Sequence, residues 1–164
     1  MDRDDLKKIY EYQVHMTAFA DTKAGGFILL FTGVLSGLIG SDRLTYVTAI
    51  LSGSISPANI IALLALLSLL ASLGLLIWAI LPRNAPGREH GSSVIFWRDI
   101  AREANSSSYL ARLRALDGEA WAGQWAEQIY SLASVVSIKF ARLRDAVWIG
   151  LFGSLLMAWL FAAT

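Results

Sequence analysis

Residues 58–81 have the sequence ANIIALLALLSLLASLGLLIWAIL, and this stretch decides which kind of fold the chain adopts. It contains no Asp, Glu, Lys or Arg, and 14 of its 24 residues are leucine or isoleucine. A helix of about 20 mostly apolar residues is long enough to cross the ~30 Å hydrocarbon core of a bilayer. The stretch therefore predicts a membrane-spanning helix.

Two further stretches, residues 24–41 and 146–164, also lack charged side chains. The C-terminal stretch predicts a second span over residues 146–163. The N-terminal stretch has only 18 residues, five of them glycine, so a re-entrant or interfacial segment is an alternative there. We interpret all three stretches as spans, which predicts an odd number of crossings.

The composition excludes several classes of protein. Of the 164 residues, 55% are apolar and 16% are charged, whereas a soluble domain has about 25% charged residues. The net charge of +1 does not suit a nucleic-acid-binding or a disordered chain. The absence of cysteine excludes disulfides and Cys-based zinc sites, and two histidines, His15 and His90, are too few for a histidine-rich metal centre. We expect no metal and no cofactor.

The distribution of Lys and Arg predicts the orientation of the chain in the membrane. Residues 1–23 contain four basic residues, residues 82–145 contain nine, and residues 42–57 contain only Arg43. Because basic flanks stay in the cytoplasm, we expect a cytoplasmic amphipathic helix (1–23) and a cytoplasmic insert (82–145). The spans are then residues 24–41, 58–81 and 146–163, with a short outer loop and an outer C-terminus.

The cytoplasmic segments are expected to be helical. Residues 4–22 form an amphipathic pattern that continues into the first span. In the insert, Pro82 and Pro86 end the second span, and Ser92 or Ser93 caps a segment over residues 94–104 that suits a strand or a helix. A further helix begins at Ser107 or Ser108 and ends at Gly118.

From Glu119 to the start of the last span, the only helix breaker is Gly123. One helix of about 45 residues, about 68 Å long, is therefore expected to run through the insert and the last span. Since no linker separates the insert from the spans, we treat residues 1–164 as a single unit. The predicted fold is an all-α integral membrane protein with three transmembrane helices, a helical cytoplasmic insert and a long C-terminal helix continuous with the last span.

Small residues recur on one face of the first and last apolar stretches. Such stripes let helix backbones approach closely within a membrane. Packing within one subunit is one use for them, and a homo-oligomer is the one that we favour. The predicted packing residues are Gly26, Gly33, Gly37 and Gly40 in the first span, and Gly150, Ser154 and Ala158 in the last.

The sequence contains no motif that points to catalysis, such as a phosphate-binding glycine loop, HExxH or GxSxG. We therefore expect no enzymatic activity. Two polar residues, Gln128 and Lys139, interrupt an otherwise apolar helical seam. They either set the helix register, with Lys139 reaching towards the headgroups, or line a ligand pocket. Asp21 and Lys23 are similarly either interfacial charges or a polar pair inside a cytoplasmic pocket.

Three stretches resemble the effector family of the Pycsar anti-phage systems, in its membrane type PycTM. They are residues 20–37, 94–116 and 124–148. An Asp-x-Lys-Ala step precedes the first span, an aromatic-x-Asp-Ile step and a Tyr-Leu pair follow the second, and a Gln-Ile-Tyr helix leads into the last. The matching residues are Asp21, Lys23, Ala24, Phe96, Asp99, Ile100, Tyr109, Leu110, Gln128, Ile129, Tyr130, Lys139 and Leu143, with Trp97 standing where phenylalanine is commoner.

This resemblance implies a membrane effector of antiviral defence that a cyclic pyrimidine mononucleotide, cUMP or cCMP, activates. Activation would impair the inner membrane and cause abortive infection. Because the chain has no room for a cyclic-nucleotide-binding β-roll, either the helical insert binds the nucleotide in another arrangement or sensing needs a partner protein. The alternative function is a non-enzymatic membrane scaffold that recruits cytoplasmic partners without binding nucleotide.

A nucleotide ligand needs cations for its phosphate and an aromatic ring for its base. The candidate phosphate-binding residues are Lys23, Arg98, Lys139 and Arg142. The remaining candidate ligand-binding residues are Asp21, Phe96, Tyr109 and Gln128.

Overall fold

The computed structural model describes residues 3–41, 43–82 and 93–163. Within these ranges the chain forms six helices and no strand, which confirms the all-α fold class. The helices are α1 (Arg3–Gly40), α2 (Leu44–Leu51), α3 (Pro57–Ile80), α4 (Trp97–Ile100), α5 (Ser106–Ala115) and α6 (Gly118–Ala163). Among them, α1, α3 and α6 are long and apolar enough to cross a membrane.

The two long continuous helices form as predicted. α1 has 38 residues and joins the polar N-terminal segment to the first apolar stretch without a break. α6 has 46 residues, a length of about 69 Å at 1.5 Å per residue. α3 begins with Pro57 after the cap Ser56, whose Oγ accepts from the amide of Asn59 at 3.2 Å.

The loop after the first span differs from the prediction, because it contains α2. Gly53 follows α2 with φ of +85°, a backbone conformation that residues with a Cβ rarely adopt, and this turn leads into α3. Arg43, which precedes α2, donates from Nη1 to the carbonyl of Leu160 at 2.5 Å. Its guanidinium also lies 4.1 Å from the ring centroid of Phe161. Arg43 thereby gives the Leu160 carbonyl, in the last turn of α6, a side-chain donor.

The insert differs from its prediction at three helix ends. Gly118 begins α6 instead of ending α5, because the Asp117 carboxylate caps α6 by accepting from the amide of Ala120 at 2.7 Å. α5 starts after Asn105, whose side chain accepts from the amide of Ser108 at 2.9 Å. Residues 94–104 supply only the four-residue α4.

The remaining calls on the start of the insert concern Pro86, His90 and Ser92, which lie outside the described residues.

The Cα packing divides the chain into two compact units. The insert unit consists of Met1–Phe19 and Pro82–Ser137, and the membrane unit consists of Ala20–Leu81 and Ile138–Thr164. α1 and α6 each contribute residues to both units. That the whole chain acts as a single functional unit stays a prediction.

The core of the membrane unit is formed by α1, α3 and α6. α6 presents its buried residues at alternating spacings of three and four, the pattern of a helix seam that stays on one side. Its most enclosed large side chains, with those of its partners, are Phe31, Leu38, Leu69, Leu76, Met157 and Leu160. Within this core the Ser72 hydroxyl donates to the carbonyl of Ala146 at 2.7 Å.

The two small-residue stripes have different surroundings. Around Gly26, Gly33, Gly37 and Gly40, nothing lies within 4 Å of where a Cβ would stand, so this face of α1 is open. Gly150 and Gly153, by contrast, pack closely against α1 and α3.

In α6, Ser154 is half-buried and Ala158 is exposed, so the fourth-residue stripe does not stay in the core. Four residues turn a helix about 40° beyond one full turn, and the stripe rotates out of the seam.

Candidate functional site

The buried ionic contact of the membrane unit joins α1 to α6. Lys139 Nζ lies 2.5 Å from Asp21 Oδ1, and of the two side chains that of Lys139 is the more deeply buried. The Lys139 side chain is 6% exposed, and that of Asp21 is 36% exposed. Lys139 is buried because it lies one turn before Leu143 and two turns before Ala146 on the core-facing seam of α6. A buried ammonium is stable only with an anionic partner, and Asp21 supplies it.

A second cation follows one turn later on the same side of α6. The Arg142 guanidinium lies 3.9 Å from the ring centroid of Trp78, near the end of α3. This is a cation–π contact, with the guanidinium over the face of the indole. Lys139, Arg142 and Asp21 together carry a formal charge of +1, so the cluster attracts an anion.

Lys23 occupies a different part of the membrane unit. It is exposed, and with Gly26, Phe27 and Leu30 it lines an open groove of about 280 Å³ along α1. Residues two apart on a helix do not face each other, so Asp21 pairs across to α6 while Lys23 points elsewhere. The ionic partner of Asp21 is therefore Lys139, 118 residues away in the chain, and not the neighbouring Lys23.

In the insert unit, Tyr109 and Gln124 hold the chain segment that precedes α4. The Tyr109 hydroxyl donates to the Val94 carbonyl at 2.9 Å, and the Val94 amide donates to Gln124 Oε1 at 3.2 Å. Asp99, which is buried, accepts from the amide of Ser93 at 3.3 Å. These contacts tie the segment to α5 and α6 and give Tyr109 a positioning role.

The aromatic residues of this segment lie nearer the surface. The Arg98 guanidinium lies 5.2 Å from the ring centroid of Trp97, whose side chain is 66% exposed. Phe96 is half-buried, with its ring 5.8 Å from that of Trp97. Gln128 is buried on α6, one turn after Trp125.

On the surface of the insert unit, Arg112 forms a strong charge contact with Glu103. The hydrogen bond from Arg112, with a second from the Ser108 hydroxyl, holds the pKa of Glu103 below its ordinary value. This carboxylate is a fixed negative group of the insert unit, which makes it a structural contact and a poor acid catalyst.

The predicted site residues thus divide between the units. Asp21, Lys23, Lys139 and Arg142 belong to the membrane unit, where three of the four form one cluster with Trp78. Phe96, Arg98, Tyr109 and Gln128 belong to the insert unit. That these eight residues bind one ligand stays a prediction.

Sequence reasoning missed Trp78 and Gln124. Trp78 lies within an uncharged span, and its position near the span's end, where interfacial tryptophans concentrate, was the available signal. Across the described ranges, no group of three or more His, Cys, Asp or Glu side chains is arranged to hold a metal ion.

The chain was compared with known proteins. The family model PycTM, described as the Pycsar effector protein domain, matches residues 5–164, nearly the whole chain. The comparisons with curated proteins and with solved structures found no match. The match includes all three helices that are able to span a membrane and both parts of the Asp21–Lys139 pair. The chain therefore belongs to the PycTM family of Pycsar effectors and is a multi-pass membrane protein of anti-phage defence.

Proposed function

We propose that this protein is an effector that a cyclic pyrimidine mononucleotide, cUMP or cCMP, activates, and that its active form impairs the integrity of the bacterial inner membrane. Loss of the membrane barrier then ends the infection by arresting or killing the infected cell. The chain has no catalytic step in this proposal. Its N-terminus and insert lie in the cytoplasm, where the nucleotide is available.

The observation that carries the proposal is the cationic cluster of Lys139 and Arg142. It lies at the start of the apolar part of α6, beside the point where α1 becomes apolar. A phosphodiester carries one negative charge, and Lys and Arg are the side chains that bind it. An anion bound here contacts helices that continue into the bilayer, so binding energy acts directly on the spans.

The physical requirement for switching is steep. Shifting an equilibrium from 1:99 to 99:1 takes a ~10⁴-fold preference of the ligand for the active state. A molecule as small as a cyclic mononucleotide reaches that preference only when both its phosphate and its base contact the active state. The phosphate contact is the one that we assign to Lys139 and Arg142.

Liposome leakage tests the proposal. Purified protein in dye-loaded liposomes is expected to release dye when cUMP or cCMP is added. Lys139→Met is expected to shift the response to about 10- to 100-fold higher nucleotide concentration, because a charge-assisted hydrogen bond contributes ~1.5–3 kcal/mol. Lys7→Met is the matched control, since Lys7 forms an exposed 3.8 Å pair with Glu11. Absence of leakage with both nucleotides at every protein density would show the proposal to be wrong.

We also propose that the active form is a homo-oligomer that associates through α1. The four open glycines on one face of α1 support this, because a glycine face lets a second helix approach closely in lipid. Gly37→Leu is expected to reduce association, measured by crosslinking in nanodiscs. Gly25→Leu adds the same side chain about 90° around the helix from the middle of that face, where a Cβ also meets nothing within 4 Å, and it is expected to leave association near wild type. Equal effects of the two substitutions would contradict the α1 interface.

One observation favours a scaffold as the second candidate function. The exposed aromatic side chains of the insert unit include Trp97 at 66% and Tyr130 at 76%, and exposed apolar surface of this kind often marks a protein partner. A direct binding titration separates the two functions, since a scaffold gives no saturable signal with cUMP or cCMP. Lys139→Met would also leave a scaffold active.

A further inference from the structure

The Asp21–Lys139 pair has an asymmetry that a purely structural ion pair does not need. The Lys139 side chain is 6% exposed, whereas the Asp21 side chain is 36% exposed. An anion that approaches from solvent therefore meets Asp21 before it reaches Lys139 Nζ. The buried ammonium of Lys139 is therefore already paired with an anion, the Asp21 carboxylate of the same molecule.

We propose that Asp21 is an internal competitor for the phosphodiester, and that activation is the exchange of the Asp21 carboxylate for the phosphate of the nucleotide on Lys139. The inference rests on the proposed function and specifies how its site is regulated. In the resting state the pair holds α1 against α6. In the active state the phosphate binds the Lys139 ammonium and the Asp21 side chain is released into solvent. The contact between α1 and α6 that the pair made is then lost.

The charges of the cluster support an exchange. Carboxylate and phosphodiester are both singly charged oxygen anions that accept from the same ammonium donors, so either one satisfies the buried Lys139. The Asp21 side chain is partly exposed already, so its release into water requires little rearrangement of the core. Arg142, held 3.9 Å above Trp78, supplies a second cation that favours the incoming phosphate and stays in place.

Removing the competitor gives the decisive result. In a protein whose binding-competent state is a small fraction of the population, the apparent affinity is reduced by that fraction. Asp21→Asn removes the negative charge that holds the resting state. We therefore expect the nucleotide concentration at half-maximal binding to be at least 10-fold lower than for wild type. Asp145→Asn is the matched control, because Asp145 also forms an ion pair, but an exposed one with its neighbour Arg144 on α6. Its loss is expected to leave binding unchanged.

Asp21→Asn leaves a buried ammonium without its carboxylate and lowers the stability of the unliganded protein. A second measurement keeps the test valid: the rise in melting temperature on adding cUMP or cCMP. We expect this rise to be larger for Asp21→Asn than for wild type, because the phosphate replaces a missing anion. We expect a smaller rise for Lys139→Met than for wild type at the same nucleotide concentration, because this variant has no ammonium to satisfy.

The outcomes separate the two claims. If wild type binds neither nucleotide, the proposed function is wrong. If wild type binds but Asp21→Asn binds equally or more weakly and gains no larger melting shift, the exchange is wrong while the proposed function stands. The experiment is run in phosphatidylcholine and in phosphatidylglycerol nanodiscs, because a lipid headgroup also carries a phosphodiester. If phosphatidylglycerol alone stabilises Asp21→Asn as much as the nucleotide does, the exchanging anion is a lipid and the nucleotide exchange is overturned.

Discussion

At the scale of single residues, the chain uses its few charges in two ways. Lys139 and Arg142 are placed among helices of the membrane unit, with Asp21 and Trp78 as partners. Glu103 and Arg112 instead form a contact that ties the α4 region to α5 at the surface of the insert unit. The first arrangement suits a ligand site, and the second suits local stability.

The Glu103 contact predicts a pH dependence. Because the hydrogen bonds lower the pKa of Glu103 in the folded state, its contribution to stability is complete above its ordinary pKa of 4.5 and is lost as the pH falls through the lowered folded pKa. Glu103→Gln is therefore expected to lower the melting temperature of the protein at pH 7 and to have no such effect at the acid end of a pH series. Glu127→Gln, at an exposed position of α6, serves as the control. A Glu103→Gln effect that is constant from pH 7 to the acid limit would contradict this contribution.

At the scale of helices, the close packing of α6 depends on a residue without a side chain. A Cβ at Gly150 would overlap the Phe31 ring and lie 2.7 Å from the Ser72 hydroxyl oxygen. A Cβ at Gly74 in α3 meets nothing within 4 Å. The same substitution therefore has opposite consequences in two helices of one unit.

Gly150→Ala is expected to destabilise the membrane unit by ~1–3 kcal/mol, the usual cost of overpacking a core. Gly74→Ala is expected to be neutral or stabilising by up to ~1 kcal/mol, because alanine is the better helix former. Reversible unfolding in mixed detergent micelles measures both. If Gly150→Ala is as stable as Gly74→Ala, α1 and α6 do not pack at this glycine as described.

At the scale of the whole molecule, three span-forming helices predict that the N-terminus and the C-terminus lie on opposite sides of the bilayer. The excess of basic residues in 1–23 and 82–145 predicts that these two segments are cytoplasmic. The chain has no cysteine, so single introduced thiols report the topology without background.

Two positions test this orientation directly. Glu127→Cys, on the exposed side of α6 in the insert unit, is expected to resist a membrane-impermeant maleimide in intact spheroplasts and to react after lysis. Ser52→Cys, exposed after α2, is expected to react in intact spheroplasts. The reversed labelling pattern would place the insert outside the cytoplasm and remove the nucleotide from reach.

The residue pattern predicted the long elements well and their ends less well. α1 and α6 followed from uninterrupted helical stretches, since apolar periodicity and the absence of breakers are local properties. The end of α5 was misplaced at Gly118 because Asp117 and Gly118 suit a cap at either end of a helix, and only the contact with the Ala120 amide distinguishes the two. α2 was missed because its eight residues are too few for a periodic signal.

The sequence alone indicated a membrane protein with three helices able to span the bilayer, because an apolar helix of about 20 residues without charges suits the hydrocarbon core. It also singled out Asp21, Lys139 and Arg142 as candidate ligand-binding residues. Only the tertiary structure decided that Asp21 pairs with Lys139 and that Arg142 lies over Trp78. These pairings join residues far apart in the chain, and their partners are chosen by which helix faces pack together, which no local pattern records.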